Sequence, residues 1–202
     1  MAITERLPKV LLIGDSIKIG YSPFVKEELK DTAQTVYLQE NGRFSAFVLR
    51  MLYDCYHSPD IGTDVDLIYW NCGLWDVLRI MGDGPQTTIG DYQTYLKRII
   101  KRMRKMYPDA KMIFALTTPV LEGESPNKEF IRYNKDIRDY NRAAQEIMSQ
   151  AGIQTDDLYQ ITVGLPREYH SDWTHYTQEG YQYIARHVAE TIKAELGKEK
   201  EE

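Results

Sequence analysis

The chain has 202 residues, 43% hydrophobic and 27% charged, enough for one substantial core and close to globular averages. A formal net charge of −5 argues against nucleic acid as the main partner, because phosphate binding favours a basic surface. No run approaches the roughly 20 apolar residues that a membrane-spanning helix needs, and Met1 to Pro8 lacks a basic-then-apolar leader, so neither membrane insertion nor export is expected and the location reads as cytoplasmic.

Lys9 to Ile13 reads as a buried strand that stops at Gly14, since a largely apolar run meets a turn signal. Ser22 to Asp31 follows as a helix with Pro23 in its first turn. Thr35 to Gln39, rich in β-branched and aromatic residues, is the second strand. Arg43 to about Cys55 is a helix carrying Phe44, Phe47, Val48, Met51 and Leu52 at helical spacing. Val65 to Asn71 is the third strand. Gly90 to Tyr107 is a helix with Tyr95, Leu96, Ile99, Ile100, Met103 and Met106 on one face and six lysines and arginines on the other. That basic stripe fits a solvated outer face better than an anion site. Lys111 to Thr117 is the fourth strand, a short fifth fits Ile153 to Leu158, and a terminal helix presents Tyr181, Ile184, Ala185, Val188, Ile192 and Leu196. Strand and helix alternate, the pattern of a parallel sheet in an α/β domain. The whole chain, 1–202, reads as one domain, with 197–202 as a frayed tail.

Cys55 and Cys72 have neither redox nor zinc spacing and read as small buried hydrophobes. His57, His170 and His187 form no ligand set, so no metal is expected. His170 is expected on an exposed loop and His187 as a surface or satisfied residue. A phosphate-binding loop and a dinucleotide glycine motif are both absent, and no cofactor is expected.

Two short blocks carry chemistry. Ser16, in Gly14-Asp15-Ser16, lies just past the first strand, at the sheet edge where such folds place ligand crevices. Near the other end, Asp172-Trp173-Thr174-His175 puts an acid three residues before a histidine, where it can reach Nδ1 and leave Nε2 to take a serine proton. Taken singly each has a plain structural reading. Asp15 and Ser16 suit a helix cap, and Asp172 to His175 suits a helix-entry turn with Thr177 as N-cap. Their conjunction, nucleophile first and acid–base pair last, favours a Ser16–His175–Asp172 triad.

Gly14-Asp15-Ser16-Ile17 resembles the first block of the SGNH, or GDSL-type, hydrolases, and Asp172-Trp173-Thr174-His175 resembles their last. Gly180-Tyr181 also fits the run into their final helix. The resemblance implies an esterase on a flavodoxin-like three-layer α/β/α domain with a five-stranded parallel sheet. It implies Ser16 as nucleophile, His175 as base and Asp172 as its orienting acid. The backbone N–H groups of Ser16 and Gly42 would form the oxyanion hole. The third block departs from the family. Gly73-Leu74-Trp75-Asp76 has Trp75 where an oxyanion-hole asparagine is usual, and Asn71 either supplies the missing amide or merely ties down the strand end.

The reaction expected is acyl transfer to water through an acyl-enzyme. Trp75 and Trp173 flank the site and would narrow it, favouring short acyl groups. The leading substrate is an acetylated carbohydrate, so the partner is a small-molecule or oligosaccharide ester. The alternatives are a lipase or thioesterase of the same family, or a weakly catalytic binding module that keeps the triad beside an altered oxyanion hole.

Overall fold

Strand β1 (Lys9–Ile13) is buried on both faces, which is why its sequence is a continuous apolar run rather than an alternation. In this computed structural model, which describes residues 6–198, β1 lies inside a five-stranded sheet. β2 (Gln34–Val36) flanks it on one side and β3 (Leu67–Trp70) on the other. Beyond β3, and separated from it in sequence by the two-residue strand β4 (Arg79–Ile80), comes β5 (Lys111–Ala115). The two-residue β6 (Phe130–Ile131) precedes β7 (Gln154–Asp156), which closes the sheet. The spatial order is β2-β1-β3-β5-β7 and every pairing is parallel.

Parallel neighbours need crossovers, and the helices supply them. α1 (Ser16–Leu29) and α6 (Gln178–Leu196) pack together. α2 (Ser45–His57), α3 (Ile89–Met106) and α4 (Asn134–Gln150) form a second packed set, and the short α5 (Leu158–Thr162) leans on α6. The domain is the three-layer α/β/α arrangement expected. On α3 the inward face is Tyr92, Leu96, Ile99, Ile100 and Met103. Its basic face is not wholly solvated: Arg102 donates to the Leu49 carbonyl at 2.6 Å and Arg104 to that of Ala151 at 2.5 Å, stitching α3 to both neighbours.

Several boundaries differ from the sequence reading. α1 begins at Ser16, not Ser22, because the Asp15 carboxylate accepts the Ile17 N–H at 3.0 Å and caps the helix there. Pro23 therefore lies inside the helix rather than in its first turn. The Ser22 hydroxyl just before it donates to the Lys18 carbonyl, one turn earlier, at 2.6 Å. β2 stops at Val36, short of Gln39. α4 has no counterpart in the sequence reading, although Ile137, Tyr140, Ala144, Ile147 and Met148 repeat at helical spacing. The antiparallel ribbon of β4 and β6 has none either, since two residues per strand leave no period to detect. The tail expected over 197–202 is held at its start: Gly197 caps α6 and Lys198 bonds Gln154 and Glu195. Residues 199–202, and Met1 to Glu5 of the leader reading, lie outside the described residues.

One close approach fixes the pair α1 and α6. A Cβ on Gly20 would lie 2.1 Å from the Tyr181 ring, so the bare glycine lets the aromatic ring rest on the α1 backbone. Among the described residues no helix is long and apolar enough to cross a membrane.

Candidate active site

The strand order reverses at β1: the chain moves outward to β2, then returns to β3 on the far side. The connections leaving β1 and β3 thus diverge, opening a crevice at the carboxyl ends of the strands. Ser16 follows β1, Gly42 follows β2 and Asn71 follows β3, so all three reach this edge.

Ser16 is the first residue of α1, where its own N–H has no intrahelical acceptor and the helix dipole is positive. Its Oγ lies 2.9 Å from His175 Nε2, across 159 residues of sequence. His175 Nδ1 lies 2.7 Å from Asp172 Oδ2. That geometry puts the ring proton on Nδ1, donating to Asp172, and leaves Nε2 as acceptor for the serine hydroxyl. Asp172 Oδ1 is held as well, accepting the Thr174 and His175 N–H groups at 2.7 Å each. Burial pushes the Asp172 carboxyl up, but the His175 backbone and ring and the Thr174 N–H together hold it below the usual carboxylate range.

The loop carrying this pair is closed on itself. His170 and Tyr176 form an antiparallel bridge, Ser171 N–H donates to the His175 carbonyl at 3.0 Å, and Thr177 N–H donates to the Tyr169 carbonyl at 2.9 Å. Thr177 is the N-cap of α6, as its type and place suggested, its hydroxyl accepting from Gly180 N–H. His175 therefore enters the site from a rigid turn anchored on the helix that packs against α1.

The expected oxyanion donors are arranged less simply. Gly42 N–H donates to the Gly14 carbonyl at 2.8 Å, so this donor is engaged by backbone rather than open to a ligand. Asn71 points its Nδ2 toward the buried Asp15 carboxylate at 3.5 Å, while its Oδ1 is buried without a partner. A Cβ on Gly14 would stand 1.9 Å from that Oδ1, so glycine is what admits the Asn71 side chain beneath the Ser16 turn. Asn71 N–H bonds the Ile13 carbonyl at 3.0 Å, which continues the β1–β3 pairing past the end of β3.

Behind this corner lies Asp15, fully buried. Burial pushes its carboxyl up, against the pull of the Ile17 N–H, Arg132, Asn71 and Lys18. Asp76, from the irregular third block, is buried under the start of α2. It accepts the Ser45 N–H at 3.0 Å and the Ser45 hydroxyl at 2.6 Å. Burial raises its pKa to about 6 in spite of those bonds.

The opposite wall was legible in the sequence only in part, as Trp75 and Trp173; Phe130 and Arg132 were not. The β4–β6 ribbon brings Phe130 and Arg132 against the half-buried Trp75 and Trp173. The Arg132 guanidinium sits 5.2 Å from the Trp173 ring, 5.5 Å from Phe130 and 5.6 Å from Trp75. Its Nε donates to the Leu74 carbonyl at 2.6 Å. Burial lowers its pKa to about 10, opposed by the charges of Asp15 and Asp172. No spacing in the sequence links residue 132 to the triad; only the ribbon does.

Two histidine expectations resolve differently. His170, expected on an exposed loop, is 6% exposed, because it forms the bridge with Tyr176 and stacks on that ring at 4.7 Å. His187 is satisfied, bonding the buried Asp156 carboxylate at 2.7 Å. Both cysteines are buried. Among the described residues no group of three or more His, Cys, Asp or Glu could hold a metal.

Comparison with known proteins gives the same frame. A Streptococcus pneumonia protein provisionally named a platelet activating factor superposes with a TM-score of 0.75 at 25% identity, covering 95% of this chain and 86% of its own. A lipase/acylhydrolase from Enterococcus faecalis gives 0.74 at 19% identity, covering 96% and 100%. A carbohydrate acetylesterase from Sinorhizobium meliloti gives 0.69 at 13% identity, covering 93% and 99%. No curated protein sequence matches. The sequence profile of the GDSL-like lipase/acylhydrolase family matches residues 12–183, which includes Ser16 at one end and His175 at the other; the chain belongs to that family of hydrolases acting on esters.

Proposed function

We propose that this protein is a serine esterase for short acyl esters, with O-acetyl groups on carbohydrates as its substrate class. The observation that carries the reading is the unbroken hydrogen-bond chain from Ser16 Oγ through His175 to Asp172, at 2.9 and 2.7 Å. His175 Nε2 takes the hydroxyl proton as Oγ attacks the ester carbonyl. Asp172 stabilises the imidazolium without itself being protonated, which its lowered pKa favours. His175 then returns the proton to the leaving alcohol and activates water against the acyl-enzyme. The oxyanion faces the Ser16 N–H and the positive end of α1. Asn71 and Gly42 are the further candidate donors nearby, their groups here engaged by Asp15 and the Gly14 carbonyl. The half-buried Trp75 and Trp173 fit a small acyl group, and so does the acetylesterase among the structural neighbours.

A second reading, a weakly catalytic binding module, has one specific support: the engaged Gly42 N–H beside Trp75 in the place of the usual asparagine. Incubation with p-nitrophenyl acetate and a fluorophosphonate probe separates the two. Turnover with labelling at Ser16 is expected; neither signal from a folded protein selects the binding module. A chain-length series of p-nitrophenyl esters then separates an acetylesterase from a lipase.

A further inference from the structure

Arg132 is 5% exposed and, among the described residues, makes no ion pair. Its hydrogen bonding there is limited to Nε and the Leu74 carbonyl, so neither Nη group has a protein acceptor, and both keep access to the surface, where a ligand could reach them. A guanidinium this little exposed is favoured by an anion that completes it. Asp15 and Asp172 act on it only at a distance. The first is committed to the Ile17 N–H and Asn71, the second to His175 and Thr174. The aromatic rings of Trp75, Phe130 and Trp173 ease the cost but offer no acceptor.

The guanidinium opens onto a pocket of about 350 Å³ lined by Arg132, Trp173, Tyr133, Lys128, Ser125 and Glu122. That volume is at the lower end for small-molecule sites. Of its two basic groups Arg132 is the buried one. Its single acidic group, Glu122, is already used, accepting the Asn134 N–H at 2.8 Å where α4 begins. The pocket is joined to the triad loop directly: Trp173 is the residue after Asp172, and its carbonyl accepts the Leu121 N–H at 2.8 Å.

We propose that this pocket is a carboxylate subsite, and that the physiological ester bears a carboxylate on its alcohol or its acyl arm, held by the two free Nη groups of Arg132. The proposal rests on the esterase reading for its substrate but not for its binding. The paired, coplanar Nη donors match the two oxygens of a carboxylate. Flat rings around the guanidinium suit a planar anion better than a tetrahedral phosphate dianion. An O-acetylated acidic sugar has this chemistry on its alcohol arm, a dicarboxylic monoester on its acyl arm.

Two ester pairs of matched shape test it. The acyl arm is probed with mono-p-nitrophenyl succinate against p-nitrophenyl butyrate, the alcohol arm with 4-acetoxybenzoate against its methyl ester. Wild type is expected to favour the charged member of one pair by at least tenfold in kcat/KM. Arg132→Met should lower kcat/KM for that charged ester at least tenfold more than for its neutral partner, with Arg132→Lys in between. Loss of both in equal proportion means that Arg132 only supports the Leu74 loop, and overturns the proposal. Ser16→Ala titrated with succinate and with 4-hydroxybenzoate, followed by tryptophan fluorescence, requires no turnover. Saturable quenching by one of them that disappears in Ser16→Ala/Arg132→Met is expected. Quenching without turnover in wild type would discard the esterase reading and keep the subsite; no charge preference and no quenching would discard the subsite. Should Arg132→Met fail to fold, the wild-type preference and the Ser16→Ala titration still decide.

Discussion

The two walls of the crevice differ in how their polar groups are matched. On the triad wall the Ser16 hydroxyl, both ring nitrogens of His175 and both oxygens of Asp172 have partners within 2.9 Å, although His175 and Asp172 are substantially open to solvent. On the facing wall Arg132 is almost fully buried and, among the described residues, has one hydrogen bond where it could make five. The candidate triad residues are thus paired with one another, whereas the Arg132 guanidinium keeps donors that no described residue takes up.

The largest effect expected is on the triad wall. Ser16→Ala and His175→Ala should each lower kcat/KM for p-nitrophenyl acetate by at least about 10³-fold, with unchanged circular dichroism. The double variant should be no worse than either single, because the pair acts as a unit. Asp172→Ala should retain more activity, since it costs orientation rather than the proton acceptor. A Ser16→Ala protein with wild-type turnover would remove the functional distinction between the walls altogether.

Asn71, held beneath the Ser16 turn, sharpens the contrast. As an oxyanion donor its loss in Asn71→Ala should reduce kcat by about 10²-fold with little change in KM, because the oxyanion exists only in the transition state. As a support for the Gly14 turn its loss should lower Tm and leave kcat per folded molecule unchanged. Kinetics and a thermal melt on one preparation distinguish these.

Asp76, buried beneath the start of α2, makes a pH signature. With a folded pKa of about 6 against about 3.9 in the unfolded chain, it holds a proton in the native state where the unfolded state has lost it. Native protein binds more protons in that window, so this group's contribution to stability falls as pH rises from about 4 to about 6, and is flat above. Asp76→Asn cannot titrate. Relative to wild type it should gain on the order of 2 kcal/mol between pH 4 and pH 7 in urea unfolding. A parallel offset at all pH values would mean that Asp76 is ionised throughout.

The smallest effect concerns how the triad wall is held. Gly20→Ala gains about 1 kcal/mol of helix propensity but drives a methyl into the Tyr181 ring, and overpacking costs about 1–3 kcal/mol. A net loss of about 1 kcal/mol is expected, with a further drop in kcat as α6 shifts His175 relative to Ser16. In a Tyr181→Ala background the same Gly20→Ala change should stabilise. Additivity of the two substitutions would show that the contact does not position α6.

Much of the molecule was legible because its signals are local. The apolar runs at β1 and β3 and the amphipathic repeat of α3 announce a covered parallel sheet. Asp172 and His175 lie within one turn, so their pairing needs no long-range information. The start of α1 is harder to place. Pro23 is a strong local cue for a helix beginning, whereas Asp15 acts as the cap only through its bond to the Ile17 N–H. The cap reading of Asp15 holds, and it is what makes Ser16 the first residue of the helix.

The sequence by itself determined the strands, most of the layer helices and the Asp172–His175 pair, because strand burial, helical period and an acid three residues before a histidine are each written within a few residues. Ser16, 159 residues away, was joined to them only by the conjunction of the two blocks and the family resemblance. Only the tertiary structure decided the rest. It turned Gly42 N–H onto the Gly14 carbonyl, buried His170 in a bridge, and used a two-residue ribbon to carry Arg132 from the end of β6 to the aromatic wall beside Asp172. These are contacts between segments far apart in the chain, and their free energy lies in burial and pairing that no local pattern of residue types records.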